Sequence, residues 1–220
     1  MSAAFDHVFV MCSAGAPEAD VLREVGLVEG SPNFHPGQGT SCRRFFFRNG
    51  YLELLWVENE EEVRSEPIRP TRLWERWSGR DRGACPFGVV VRPANGDVDS
   101  TPPFPAWRYA PAYLPDGAFI GIAMDASLEE PEFFYLAFQR GRARGGQEPT
   151  DHKIPAQFVT GVKIGAPGTR PRSTAASAVE ASGWLSFHHS TDHLLHLTFD
   201  ANARGGAADL RPALPLVLSW

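Results

Sequence analysis

The sequence predicts an α+β protein in which βαβββ modules repeat around a curved, mixed β-sheet. Three observations carry that prediction. The chain holds 15 Phe and 6 Trp among 21 Gly and 19 Pro, and its aromatic and β-branched runs are short, which reads as many strands closed by turns. Asn49-Gly50 stands between two apolar runs, the strongest short-range signal for a hairpin. The opening strand and helix return in the last third, where Thr160-Gly161-Val162-Lys163-Ile164 aligns with Asp6-His7-Val8-Phe9-Val10. Repetition at that scale points to modules.

Each element has a local reason. Phe5 to Cys12 is a strand, with Asp6, Val8, Val10 and Cys12 on one face and Phe5, His7, Phe9 and Met11 on the other. Pro17 to Val25 reads as a short helix, with Pro17 in its first turn, Glu18 and Asp20 at its positive end and Gly26 to stop it. A Gly- and Pro-rich loop, 30–40, leads to strands 43–48 and 51–57. A two-residue turn at Asn49-Gly50 would set Arg48 opposite Tyr51 and Phe46 opposite Glu53. One face of that ribbon is apolar, with Phe45, Phe47, Leu52, Leu54 and Trp56. The other mixes Arg44, Phe46, Arg48, Tyr51, Glu53, Leu55 and Val57, as a wetter surface would.

Residues 60–83 form a charged linker whose Leu73, Trp74 and Trp77 fall at helical spacing and tuck onto the core. Strands resume at 87–92, 107–113, 118–124 and 133–138. A Pro-rich crossing, 93–105, replaces the helix expected between the first two, and the Arg/Gly stretch 141–151 reads as an exposed loop. The last third offers a strand at 158–164, an Ala-rich helix at 174–182, and strands at 184–188, 193–199 and 214–220. The chain is thus expected to be one unit over residues 1–220, with modules at about 1–60, 84–140 and 156–220.

Composition excludes several classes. The net charge is −5, against a nucleic-acid surface. No apolar run approaches the roughly 20 residues a membrane helix needs, and no secretory leader is visible near Asp6-His7. Three unpaired, widely spaced cysteines, Cys12, Cys42 and Cys85, suit a reducing cytoplasm. The expected partner is a small molecule.

In Phe5-Asp6-His7-Val8-Phe9-Val10, His35-Pro36-Gly37-Gln38-Gly39-Thr40 and Tyr51-Leu52-Glu53-Leu54-Leu55, the chain resembles the glyoxalase-like branch of the vicinal oxygen chelate superfamily. The resemblance implies a half-open cup of paired modules that binds a carbonyl- or vicinal-oxygen-bearing ligand. It also implies lyase, isomerase or dioxygenase chemistry at a divalent metal, zinc, iron or manganese, and a homodimer as a frequent assembly. Its metal positions fall on His7 and Glu53. The corresponding positions in the later modules are Gly88 and Gly161, and strand 214–218 has no carboxylate. Two donors of an expected four are present, so a metal-free binding or sequestration protein stands beside the metalloenzyme as an equal expectation.

Further lining residues expected for the cup are Phe9, Arg44, Phe46, Trp107, Tyr109 and Lys163. Glu53 also suits a cross-strand pair with Arg44, and His7 a hydrogen-bonded, half-buried ring. Four of the seven histidines, His188, His189, His193 and His196, crowd the last module. They read either as a second metal cluster or as incidental residues of a hairpin.

Overall fold

The computed structural model describes residues 3–94, 101–138, 148–168 and 171–220. Its larger sheet contains β1 (Ala3–Met11), β2 (Asn33–His35), β3 (Thr40–Phe46), β4 (Tyr51–Val57), β5 (Phe87–Pro93), β6 (Ala106–Tyr109), β7 (Ile120–Ala123) and β8 (Glu132–Tyr135), in the order β2-β3-β4-β1-β5-β8-β7-β6. β1 runs parallel to β4, β5 runs parallel to β8, and β1 meets β5 antiparallel. Two halves of like topology therefore share one seam. This is the α+β, mixed-sheet class that the sequence predicts. Much of the Pro-rich crossing and of the Arg/Gly stretch lies outside the described residues.

A second sheet holds β9 (Val159–Ala166), β10 (Leu185–His189), β11 (Leu194–Phe199), β12 (Ala207–Asp209) and β13 (Leu216–Ser219), ordered β10-β9-β11-β13-β12. Its elements are those expected, plus the three-residue β12, but they pair differently from the first module. There the first strand lies beside the last. Here β9 takes β10, the strand straight after its helix, and β11 takes β13.

The faces sort by polarity. Val8, Val10, Phe45, Phe47, Leu52, Leu54, Phe87, Val89 and Phe133 point to one side of the large sheet. They form one core with helix α1 (Ala19–Val25), helix α4 (Thr174–Glu180) and the inner face of the second sheet, including Val162, Ile164, Leu195, Leu197 and Phe199. Phe47 meets Phe199 at 4.6 Å and Phe5 meets Trp184 at 5.5 Å. The second sheet covers apolar area of the second half, whose described residues form no helix between β5 and β8, and burial of that area is the main force holding the layers together. Phe9, Met11, Cys42, Leu55, Val57, Val90, Ile122 and Phe134 face the other way. They form the cup, roofed by Val63 of α2 (Glu60–Val63), Ile68, and Leu73 and Trp74 of α3 (Leu73–Gly79).

Two local details depart from the sequence reading. The hairpin pairs Phe46 with Tyr51 and Arg44 with Glu53, and Phe47 N–H donates to Gly50 C=O at 2.8 Å, so the two residues at the turn are Arg48-Asn49 rather than Asn49-Gly50. Asn49 answers to a residue outside the turn: its side chain accepts from Val159 N–H at 2.9 Å and donates to Val159 C=O at 2.7 Å. Gly50 lies where a Cβ would collide with the Phe5 ring and the Asp6 carbonyl. The register moves by two, so every side chain keeps its face. In β1 a bulge between Phe5 and His7 places Phe5 on the core side with Val8.

The linker is pinned by Arg76, whose side chain is fully buried. It donates to Cys85 C=O at 2.6 Å and Glu130 C=O at 2.7 Å, and meets Glu132 at 3.2 Å. Replacing Arg76 with Ala leaves the Glu132 carboxylate buried without its partner, so a loss of about 3–5 kcal/mol is expected in urea unfolding. A loss under about 1 kcal/mol would contradict that reading.

His152 supplies a pH dependence. Its Nδ1 accepts from Val28 N–H at 2.9 Å while its Nε2–H donates to Phe46 C=O at 2.9 Å, an arrangement open only to the neutral ring. Burial holds its pKa below the ordinary value. As pH falls through about 6.5 the unfolded chain takes up a proton that the folded ring refuses. Stability contributed by His152 is complete above that pH and declines below it until the folded ring itself titrates. Urea midpoints between about pH 7.5 and 5.5 should fall, and fall less in His152→Gln. An unchanged slope in that variant would refute the assignment.

Candidate functional site

One corner of the cup floor gathers the polar side chains. The bulge that reverses Phe5 also brings Asp6 beside its neighbour, where it accepts from His7 Nδ1–H at 2.7 Å. Asp6 lies 3.7 Å from Arg92 on β5. With its proton on Nδ1, His7 keeps a free lone pair on Nε2. That nitrogen accepts from the Tyr51 hydroxyl at 3.3 Å and lies 3.5 Å from Glu53 Oε2. The His7 and Tyr51 rings stack at 4.1 Å. Asp6, His7 and Glu53 are all buried.

His35 of β2 and Cys42 of β3 reach the same corner, and the donor atoms of His35, Cys42 and Glu53 lie within 4.8 Å of one another. His35 bonds Thr40 Oγ1 through Nδ1 and the Asn33 amide through Nε2, both at 2.9 Å. Burial lowers its pKa. Burial, and then the Glu53 carboxylate, hold the Cys42 thiol far above the ordinary range.

Opposite this corner the lining is apolar: Phe9, Leu55, Val90, Phe134 and Leu136, with Leu73 overhead. The space is small, about 80 Å³, and open on one side. Gln38 borders it, and its Oε1 accepts from Tyr109 at 3.1 Å and Tyr113 at 2.7 Å. Tyr109 also lines an outer groove of about 360 Å³ with Gly37, Ile68 and Trp107.

Four of the residues expected at the cup, His7, Phe9, Glu53 and Tyr109, line this cavity. Arg44 and Phe46 stand at its rim instead. Arg44 stacks over Phe46 at 5.0 Å and turns outward to Ser31 and Pro32 carbonyls. Trp107 is in the outer groove. Lys163 does not reach the cup: it is exposed on the second sheet, paired with His196. The histidine cluster is also on that sheet, where His193 bonds Gly83 C=O and His196 bonds Ser219. Among the described residues these histidines assemble no group of three donors. His35, Cys42 and Gln38 were not singled out as site residues, since only the β2–β3 pairing shows that they converge.

The seam also answers the question of a metal shared between halves. Across it His7 faces Val90 and Phe9 faces Gly88, so Gly88 is the counterpart of His7. Glu53 faces Phe9, and Phe134 faces Val90, so Phe134 is the counterpart of Glu53. A Cβ on Gly88 would collide with the Phe9 ring, which packs 5.7 Å from Phe134. The Glu132 carboxylate is committed to Arg76. The second half therefore offers an aromatic plug where donors are required, and these residues do not fit a metal held between the two halves. Gly88→Ala should lower stability by about 1–3 kcal/mol through overpacking, and pairing it with Phe9→Leu should recover part of that loss. Purely additive losses in the double variant would dismiss the plug.

Residues 5–101 match the family model described as Glyoxalase-like domain. No curated protein matches the sequence. Among solved structures, a hypothetical protein from Staphylococcus aureus is similar at 10% identity and a TM-score of 0.49, with 99% of this chain and 98% of that chain covered. Methylmalonyl-CoA epimerase in complex with methylmalonyl-CoA and NH4+ is similar at 11% identity and a TM-score of 0.38, with 64% of this chain and 100% of that one covered.

Proposed function

Starting from a glyoxalase-like domain at residues 5–101, we propose that the chain binds a small carbonyl- or vicinal-oxygen-bearing molecule in the cup. The observation that carries this reading is a cavity in which His7 and Glu53, backed by Asp6 and Tyr51, meet a few other polar groups (His35, Gln38, Thr71, Tyr109 and Tyr113) beside an apolar wall of Phe9, Leu55, Val90, Ile120, Phe134 and Leu136. Few and convergent polar groups in an apolar pocket fix a ligand's orientation. A hydroxyl of Tyr109 or Tyr113 would donate to the ligand's oxygen, and the apolar end would lie against Phe9, Val90 and Phe134.

The chemistry such a corner supports is proton transfer beside a carbonyl, within the isomerase and lyase classes. Asp6 fixes the His7 tautomer, so Nε2 can accept a proton and return it. Exclusion of water by the Leu73 roof strengthens each of these polar contacts. A second reading, binding or sequestration without turnover, is favoured by the Phe9 plug, which removes the second half's share of a metal site. On either reading residues 1–220 act as one unit, because both sheets contribute to one core.

Calorimetric titration of metal-free protein with a panel of α-keto acids, α-hydroxy ketones and catechols tests the proposal. At least one class should bind, and His7→Ala and Glu53→Gln should each weaken it tenfold or more, about 1.4 kcal/mol. Binding indifferent to both variants, or none across the panel, would refute it. Gln38→Ala should speed association of the same compound in stopped flow, since Gln38 ties Tyr109 and Tyr113 together at the edge of a space of about 80 Å³, far smaller than the roughly 300 Å³ or more of ordinary ligand sites. An unchanged rate would remove Gln38 from the entry path.

A further inference from the structure

We propose that the molecule bound in the cup has an uncharged oxygen-bearing head and an aromatic tail, and that the tail lies in the outer groove beside Trp107. This rests on the reading of the cup as a ligand site and narrows the class of molecule it takes. The cup offers about 80 Å³, well short of the roughly 300 Å³ or more of an ordinary ligand site. It seats a head of a few atoms, and the rest of the molecule must lie outside. The outer groove, about 360 Å³, shares Tyr109 with the cup, and Gly37 of the groove directly precedes Gln38 of the cup. Trp107 and Tyr109 stand two residues apart on β6, hence on one face of the strand. A chain that leaves the cup past Tyr109 therefore meets Trp107.

The groove's lining sets the chemistry of the tail. Pro67, Ile68, Trp107, Tyr109 and Pro111 present rings and one branched aliphatic chain. The Trp107 and Tyr109 rings stand 5.8 Å apart at 61°, so two aromatic surfaces meet at an angle. Trp107 is only half-buried, and a ring laid against it would cover apolar surface that now faces water. Among the described residues no carboxylate lines the groove, and its one charged residue, Arg108, stacks 3.7 Å over Phe119. A cation at the edge favours an electron-rich ring.

Charge decides the head. Among the described residues lining the cup there is one carboxylate, Glu53, and no lysine or arginine. Arg44 turns outward at the rim. A carboxylate head would face the buried Glu53 with no lysine or arginine beside it, and like charges so placed oppose binding. A ketone or hydroxy ketone avoids that repulsion. It can also accept from the Tyr109 or Tyr113 hydroxyl, which otherwise donate to Gln38.

Four compounds separate the parts. Hydroxyacetone is the head alone, benzyl and phenethyl hydroxymethyl ketones add the tail, and phenylpyruvate joins the tail to a charged head. Dissociation constants are read on the full-length protein by calorimetry, or by ligand-observed NMR for millimolar binding. The better aryl ketone should bind about thirtyfold or more tighter than hydroxyacetone, and about tenfold or more tighter than phenylpyruvate. Trp107→Ala should cut the ratio between aryl ketone and hydroxyacetone to about threefold or less. Glu53→Gln removes the like charge and should narrow the gap between ketone and acid. His193→Ala, on the second sheet, should alter neither ratio. Circular dichroism shows whether Trp107→Ala folds. Should it not, Trp107→Leu keeps apolar volume without the aromatic face, and should still lower the aryl ratio severalfold. Equal binding of hydroxyacetone and the aryl ketones would overturn the inference and leave the cup a ligand site. So would an aryl ratio that survives in folded Trp107 variants, or phenylpyruvate that binds as well as the ketones. Failure of all four compounds to bind would overturn the cup reading and this inference with it.

Discussion

Along the seam of the larger sheet, β1 and β5 pair antiparallel with His7 opposite Val90 and Phe9 opposite Gly88. Nearly every other feature is positioned from that pairing. It joins the two four-stranded halves and decides which side chains look toward the second sheet and which into the cup. It also admits the Phe9 ring over a residue that has no side chain to resist it. A bulky residue at 88 would push Phe9 off the floor of the cup, and Phe134 and Leu136 would lose their packing partner. The bulge two residues before the pairing begins has a comparable reach. It sends Phe5 into the core against Trp184 and leaves Asp6 free to orient His7, so one extra residue in β1 both locks the layers and arms the corner.

Much of this was legible in the sequence because alternation is a strong signal. The apolar stripe Phe45, Phe47, Leu52, Leu54 faces the core and the mixed stripe faces the cup, even though the hairpin pairs two residues away from the register its Asn-Gly pair implied. Period-two patterning survives a slip of two, and a slip of one would have exposed the whole stripe. Asn49 misled because its amide serves Val159, 110 residues away, and no local rule records such a demand. β2 and β12, three residues each, are too short for any periodicity to mark.

The site was less legible, for a physical reason. His7 and Glu53 were found through resemblance and lie together at the floor of the cup. The sequence also showed that Gly88 lacks a donor, but not that Phe9 fills the vacancy. That fact belongs to pairing across the seam. His35 and Cys42 reach Glu53 only because β2, β3 and β4 lie side by side in one sheet, bringing residues of one module together where pairing between modules was expected. Lys163 was misplaced by the opposite error. Its strand resembles β1 in sequence, but β9 builds a sheet whose inner face is spent on the core, so its polar face meets solvent rather than a cup.

Closure of the cup follows from the same economy of polar groups. Buried hydroxyls require partners, and Tyr109 and Tyr113, from the second half, share the single Gln38 oxygen of the first. Three groups thus satisfy one another only while the halves are latched. A molecule that displaces Gln38 from the edge of this space of about 80 Å³ must compensate the freed hydroxyls or leave them to water. A ligand whose oxygens could bond Tyr109 or Tyr113 would meet less resistance than an equally bulky hydrocarbon. Selection for oxygen-bearing ligands is on this view built into the mouth of the cup as well as its floor. The Tyr109 ring, shared by the inner cavity and the outer groove, is the element whose movement would join the two.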